Sequence, residues 1–317
     1  MKYKRNEAMD YARANLKGLW GAALMPYASD GAMDEAGFRR NLRHWFDDLG
    51  IKGVFVGGKQ GEFWAQSLAE RKRCFEIAVE EARGKAPTIV SCSDQNLDTA
   101  MELARHAEAV GCDFIVMHAP VLSFVTDQDE ILRQYYTYIS ERLDIGIAMW
   151  SHPDSGYLMK PELCAEIADL PNIVAIKYSV PREMYVKLHH MAKHKLIVST
   201  ASEEEWFDNV VELVWQVYLS SSPPYLFQTR NDKRIQQYSD LAWAGKVDEA
   251  RRVRDSLEPV RKAFRSTRPG GKPHAHSKRW QELLGQVGGA VRRPALALTD
   301  AERAAVDAAF AGCGLSL

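Results

Sequence analysis

The chain has 317 residues, 46% of them hydrophobic, and carries 41 basic against 42 acidic side chains. That is apolar material enough for a sizeable core, on the scale of an α/β barrel of about 250 residues; the balanced charge gives nucleic acid or an anionic membrane no purchase. The five cysteines (Cys74, Cys92, Cys112, Cys164, Cys313) are scattered and form no C-x-x-C pair, and positions 1–16 are polar with no signal-peptide core. With no run of about 18 apolar residues either, a cytoplasmic protein with reduced thiols and no membrane span is expected.

Short apolar runs alternate with helical patterns along the chain. Strands are expected at 19–24, 53–56, 88–91, 114–117, 146–149, 173–177, 196–199 and 216–219. Helices are expected between them at 35–49, 68–83, 97–110, 127–143, 161–168, 182–191 and 203–211. Ser67 and Glu70 form a capping box ahead of the second helix, and 94–98 offers several caps for the third. Repeated β-then-α units with short connections indicate a parallel sheet, and their number is that of a closed (β/α)8 TIM barrel. An open doubly wound sheet is the runner-up, but no glycine-rich phosphate fingerprint follows the first strand. After about residue 222 only helical patterns remain, at 232–244, 247–264, 277–284 and 299–311. The expected division is therefore a barrel over 1–222 and a C-terminal helical extension over 223–317, which offers an interaction surface.

Chemistry in such a barrel sits at the C-terminal ends of the strands. That rule selects 26–27, 57–62, 91–94, 118–122, 150–153, 177–179, 199–202 and 220–222. Lys177 stands out among them, at the end of the apolar run Ile173-Val174-Ala175-Ile176. Burying an ammonium ion is costly, so a buried lysine favours its free amine, and a free amine attacks ketones to form a Schiff base. The alternative is a lysine that caps the strand and reaches out to water.

Together these segments resemble the dihydrodipicolinate synthase/N-acetylneuraminate lyase family of Schiff-base enzymes. The resemblance runs from Gly18 to about Leu315. It is carried by Leu24-Met25-Pro26-Tyr27 with Asp30-Gly31, the loop Gly57-Gly58-Lys59-Gln60-Gly61-Glu62, Ala119-Pro120, the Pro153 turn, the Lys177 segment and Arg292-Arg293-Pro294-Ala295-Leu296. It implies a barrel, a Schiff-base lysine at Lys177, a small-molecule 2-oxo acid substrate, commonly pyruvate-derived, and a homo-oligomer, tetramer or dimer. In the family the loop after the second strand holds the substrate carboxylate through hydroxyls and backbone amides; here Lys59 and Gln60 replace its two threonines. Lys59 would either add positive charge to that site or point to solvent.

Other departures concern proton transfer and substrate. Trp150 stands after the fifth strand where the family has its catalytic tyrosine, and Val121-Leu122 replace the supporting tyrosine pair. An indole N–H donates a hydrogen bond but cannot shuttle protons. Ser155 replaces an arginine typical of dihydrodipicolinate synthases, which argues against a distal carboxylate on the substrate. His152 and His118, both past strand ends, either move protons instead or satisfy loop backbone groups; the extended backbone before Pro153 is expected to turn His152 away from Trp150. Tyr178 should face the opposite side from Lys177, whereas Ser179 should share its face. Glu62 is expected to hold backbone rather than act as a base. Phe63, Trp64 and Trp150 cluster on the mouth loops, with Trp206 and Tyr225 as further candidates; such aromatics either pack between helices or at a subunit contact, or line the mouth for an aromatic or unsaturated oxo acid.

The expected function is a Schiff-base-forming lyase of aldolase or hydratase-aldolase type, with Lys177 and His152 catalytic and Lys59, Gln60, Trp150 and Ser179 binding substrate. Alternatives are a 2-keto-3-deoxy sugar acid dehydratase, a hydrolase using the same pocket, and a non-catalytic oxo-acid binder. No cofactor is expected, since the iminium itself supplies the electron sink that a metal otherwise would. The pair His274 and His276 lacks the company of a metal site.

Overall fold

Strand and helix alternate through the first two thirds of the chain, in a computed structural model that describes residues 2–122, 124–200 and 202–317. Helix α1 (Ala8–Asn15) precedes strand β1 (Gly18–Ala22). Then follow α2 (Glu35–Arg43), β2 (Gly53–Val56), α3 (Leu68–Ala82), β3 (Thr88–Ser91), α4 (Leu97–Val110), β4 (Phe114–His118) and α5 (Gln128–Glu141). The series continues with β5 (Gly146–Ser151), α6 (Pro161–Ile167), β6 (Ile173–Tyr178), α7 (Arg182–Ala192), β7 (Ile197–Ser199), α8 (Trp206–Leu213) and β8 (Val217–Tyr218). The strands pair in parallel in the order β7-β6-β5-β4-β3-β2-β1-β8, the architecture of a (β/α)8 TIM barrel. Ser199 Oγ donates to Val217 O at 3.4 Å across the seam between β7 and β8.

Almost every strand residue is buried, because the inner face meets the barrel's own core and the outer face meets helices. Trp20, Phe55, Phe114, Ala148 and Val174 belong to the inner cluster. Tyr3 and α1 close the barrel's N-terminal end: the Tyr3 hydroxyl accepts from Gly146 N at 2.8 Å and donates to Asp113 O at 2.5 Å. Tyr11 stacks on Tyr3 with ring centroids 4.3 Å apart and donates to Asp113 Oδ1.

Five more helices follow: α9 (Arg234–Trp243), α10 (Val247–Ser256), α11 (Glu258–Ser266), α12 (Pro273–Leu283) and α13 (Asp300–Ala311). They share the outer core with the barrel helices. Tyr225 stacks on Trp45 at 3.9 Å and bridges β1, accepting from Leu24 N and donating to Ala22 O. Arg261 on α11 forks onto Glu203, with both side chains nearly fully buried.

Several expected bounds shift for physical reasons. The helix expected at 35–49 ends at Arg43 and gives way to a π turn, His44–Asp48. That expected at 247–264 breaks at Leu257, because Pro259 sits in the first turn of α11, where its missing N–H is harmless. Helix α12 starts at Pro273 for the same reason, and α1 had no counterpart among the expected elements. Asn96 is the cap of α4, accepting from Thr99 N at 3.0 Å, and Ser67 and Glu70 form their capping box.

Candidate active site

Strand register builds the site. Across the C-terminal ends of four neighbouring strands, His118 pairs with Trp150, Trp150 with Lys177, and Lys177 with Ser199. Strand β5 runs through Ser151, so Trp150 lies inside it and not after it as expected; the small Ser151 is wholly buried and its Oγ accepts from Met159 N. Tyr178 points outward, its hydroxyl donating to Met159 O, and Lys177 points inward.

Lys177 is 3% exposed. Its Nζ lies 5.0 Å from the Trp150 ring centroid and 5.2 Å from that of Phe55, and among the described residues no carboxylate pairs with it. Burial, reinforced by the charge of Lys59, brings its amine down to about 7. The amine faces a cavity of about 60 Å³. Its walls bring together all six residues picked out in the sequence: Lys177, His152, Lys59, Gln60, Trp150 and Ser179. Trp150 Nε1 and Ser179 Oγ are buried there without hydrogen-bond partners among the described residues, so both can serve a ligand.

Lys59 turns into the site and not to solvent: its Nζ binds the Asp154 carboxylate and sits 5.0 Å from the Trp150 centroid. Burial lowers its pKa, against the opposing pull of Asp154. His152 does not turn away from Trp150. As residues i and i+2 of an extended segment they share a side, with ring centroids 6.5 Å apart. His152 Nδ1 lies 2.9 Å from Asp154 Oδ1 and 3.2 Å from the Asp154 amide. Burial, then Lys59, hold its pKa below the ordinary imidazole value. Trp206 and Tyr225 are away from both the inner cavity and the outer one described below. The Trp206 indole donates to Ser239 Oγ deep among the helices, and Tyr225 fills the space behind β1.

The loop after β2 needs unusual backbone. Gly57 takes φ +71°, a conformation that L side chains rarely adopt, and a Cβ on Gly58 would come within 2.7 Å of the Phe55 ring. Lys59–Gly61 then form a 3-10 turn, whose leading amides have no partner inside the turn and can meet an anion. Glu62, at φ 56°, ends it and is wholly buried. Its carboxylate holds Lys278 of α12 at 2.5 Å and accepts from Arg292 N at 2.9 Å, the backbone-holding role expected of it. Gln60 Nε2 reaches across to Ser221 O at 2.5 Å.

Asp154 was not among the residues selected from the sequence. Its only visible signal was an acid two positions beyond a candidate histidine, and nothing local revealed that it also meets Lys59. Phe55, beside the lysine, was missed because the rule took strand ends only. Beyond Lys59 and Asp154 lies a second, outer cavity of about 430 Å³, where Phe63, Trp64, His118 and Val121 meet. His118 Nδ1 is 2.6 Å from Ala119 O, and burial pushes the ring's pKa down to about 4. Of the span 199–202, Ala201 lies outside the described residues. Among the described residues no group of three or more His, Cys, Asp or Glu is placed to hold a metal, and no helix is long and apolar enough to cross a membrane.

The profile of the dihydrodipicolinate synthetase family matches residues 15–311. An N-acetylneuraminate lyase of Clostridium perfringens (strain SM101 / Type A) is 34% identical over 165 residues, 52% of this chain and 57% of that protein, so the match spans little more than half of either. A 4-hydroxy-tetrahydrodipicolinate synthase of Brucella suis biovar 1 is 25% identical over 303 residues, 95% of this chain and 99% of its own. Among solved structures, YagE, a prophage protein of the dihydrodipicolinic acid synthase family from E. coli K12 in complex with pyruvate, superposes with a TM-score of 0.83. It is 19% identical and covers 95% of this chain and 99% of its own, a likeness of fold.

Proposed function

The chain belongs to the dihydrodipicolinate synthetase family, and on that premise we propose that it is a Schiff-base lyase acting on a 2-oxo acid, with Lys177 as the nucleophile. The observation that carries the reading is an inward-facing lysine in a small cavity, 3% exposed and held near neutrality by burial. A buried amine with a pKa near ambient pH is a competent nucleophile without a separate base.

The steps follow from the surrounding groups. Lys177 attacks the 2-keto carbon, and loss of water gives a protonated imine next to C3. The leading amides of the Lys59–Gly61 turn, with Lys59 itself and Gln60, hold the carboxylate, while Ser179 and Trp150 Nε1 supply further hydrogen bonds. In the cleavage direction a base takes the proton from the C4 hydroxyl. The C3–C4 bond breaks, its electrons pass into the imine, and the aldehyde leaves. The enamine is then protonated at C3, and water releases pyruvate and the free lysine. In the reverse direction the enamine adds to an aldehyde. His152 is the proton carrier in this reading. Its Nδ1 accepts from the Asp154 amide at 3.2 Å with the Asp154 carboxylate 2.9 Å away, which orients the ring and leaves Nε2 as the atom that carries the proton to and from substrate.

Incubation with pyruvate and borohydride, followed by peptide mass analysis, tests the reading. A reduced pyruvate adduct on Lys177 is expected, and its absence with pyruvate and with larger 2-oxo acids would overturn the Schiff-base mechanism. Because Trp150 cannot relay protons as a tyrosine does, a binder without turnover is the second reading. It predicts an adduct or a rise in melting temperature with no cleavage or addition product.

A further inference from the structure

The inner cavity, at about 60 Å³, has room for little more than the reacting end of a substrate. Anything attached beyond C4 needs space elsewhere, and the outer cavity of about 430 Å³ shares Lys59 with it as a common wall. The chemistry of that outer cavity is restrictive, because most of its polar side chains already hold protein partners. Asp94 Oδ2 takes the Arg71 guanidinium at 3.0 Å and its Oδ1 the Asn96 amide at 3.0 Å. Both ends of the Gln95 amide are bonded to the Val121 backbone, at 2.7 and 2.8 Å. Ser93 Oγ accepts from His118 N at 2.8 Å, and Asp154 is shared between Lys59 and His152.

The largest surfaces left for a ligand are the rings of Phe63 and Trp64 and the side chains of Pro120 and Val121, beside one buried polar atom that has no partner among the described residues. His118 Nδ1 faces a carbonyl oxygen, which only accepts, so Nδ1 carries the proton in the neutral ring. Nε2 is then an acceptor, and it is buried without a partner among the described residues. A polyhydroxylated fragment would lose its hydration against the apolar walls and compete with protein partners for the remaining polar groups. A flat apolar fragment would lose little and gain ring contacts.

Resting on the Schiff-base reading above, we propose that the outer cavity seats the aldehyde half of the substrate, and that this half is apolar and ring-sized, with a hydrogen-bond donor directed at His118, not a polyol. In the addition direction C3 of the Lys177 enamine forms a bond to the aldehyde carbon. The carbonyl π electrons go to oxygen, which takes a proton from His152, and water hydrolyses the imine.

The test offers the protein pyruvate with benzaldehyde, 2-hydroxybenzaldehyde, glyceraldehyde and N-acetylmannosamine in parallel, reading condensation products by mass. A borohydride trap with pyruvate alone runs alongside. Aryl aldehydes are expected to exceed the polyols at least tenfold in kcat/KM, with the hydroxylated one ahead of benzaldehyde. Trp64→Ala should raise KM for the aryl aldehyde about tenfold, with Trp64→Phe restoring most of the loss. His118→Leu should erase the advantage of the hydroxyl, and thermal unfolding checks that each variant is folded. A pyruvate adduct with polyols preferred, or with no aryl product, overturns this inference alone. Failure to trap pyruvate or larger 2-oxo acids removes the Schiff-base reading and this one with it.

Discussion

The amine of Lys177, at about 7, is roughly half neutral in a neutral buffer. Imine formation should therefore fall about tenfold per pH unit below 7 and level off above it, as initial rates of borohydride-trapped adduct across pH would record; Lys177→Ala should give no adduct at any pH. Burial is the main cause of the depressed value and Lys59 the second. Lys59→Met removes a like charge and leaves the Asp154 carboxylate without its lysine partner, and both changes favour the ammonium form. The midpoint of the trapping profile should move to higher pH. His152→Ala should lower turnover by about 10²- to 10⁴-fold while pyruvate trapping persists, a split that separates proton transfer from nucleophilic attack in a steady-state assay. Lys177 was legible in the sequence because a lone lysine at the end of an apolar run is locally anomalous. Asp154 was not, because its contact with Lys59 joins loops that only the barrel brings together.

The loop that presents Lys59 and Gln60 is fixed at its far end by α12, through the buried ion pair of Glu62 and Lys278. Lys278 also donates to Ala290 O at 2.6 Å and packs over the Tyr27 ring, with Arg292 4.4 Å from the same centroid. Lys278→Met leaves Glu62 as a buried, unpaired carboxylate, a change that costs about 3–5 kcal/mol. The expected result is a clear drop in melting temperature with a higher KM for pyruvate; the double variant Glu62→Gln/Lys278→Met should recover part of the stability. The order of strands and helices was legible because short apolar runs and period-3.6 patterns alternate cleanly. Their ends were less so. The polar Ser151 concealed the last two residues of β5, and the polar 8–15 segment concealed α1, whose small buried face is Ala8 and Ala12.

For the molecule as a whole, barrel and extension share one outer core. Trp45 Nε1 donates to Gln286 Oε1 at 2.8 Å, Asn41 exchanges two hydrogen bonds with the Val287 backbone, and Trp280 is wholly buried. Positions 1–222 alone would expose that surface, so a chain ending at residue 222 should fail to give a cooperative thermal transition by circular dichroism, whereas the full chain should melt as one unit. The change from alternating strands and helices to helices alone was legible in the sequence; the packing of the later helices on the barrel was not, because no local signal reports which helix will lie on which strand. At the opposite pole from Lys177, Tyr3 and α1 stop the N-terminal end of the barrel. The described N-terminal segment thus lies across the floor while the Lys177 cavity lies at the C-terminal rim. A linker grafted ahead of Lys2 could anchor the protein to a bead or electrode with its mouth turned toward the bulk solution, a built-in orientation for immobilised use.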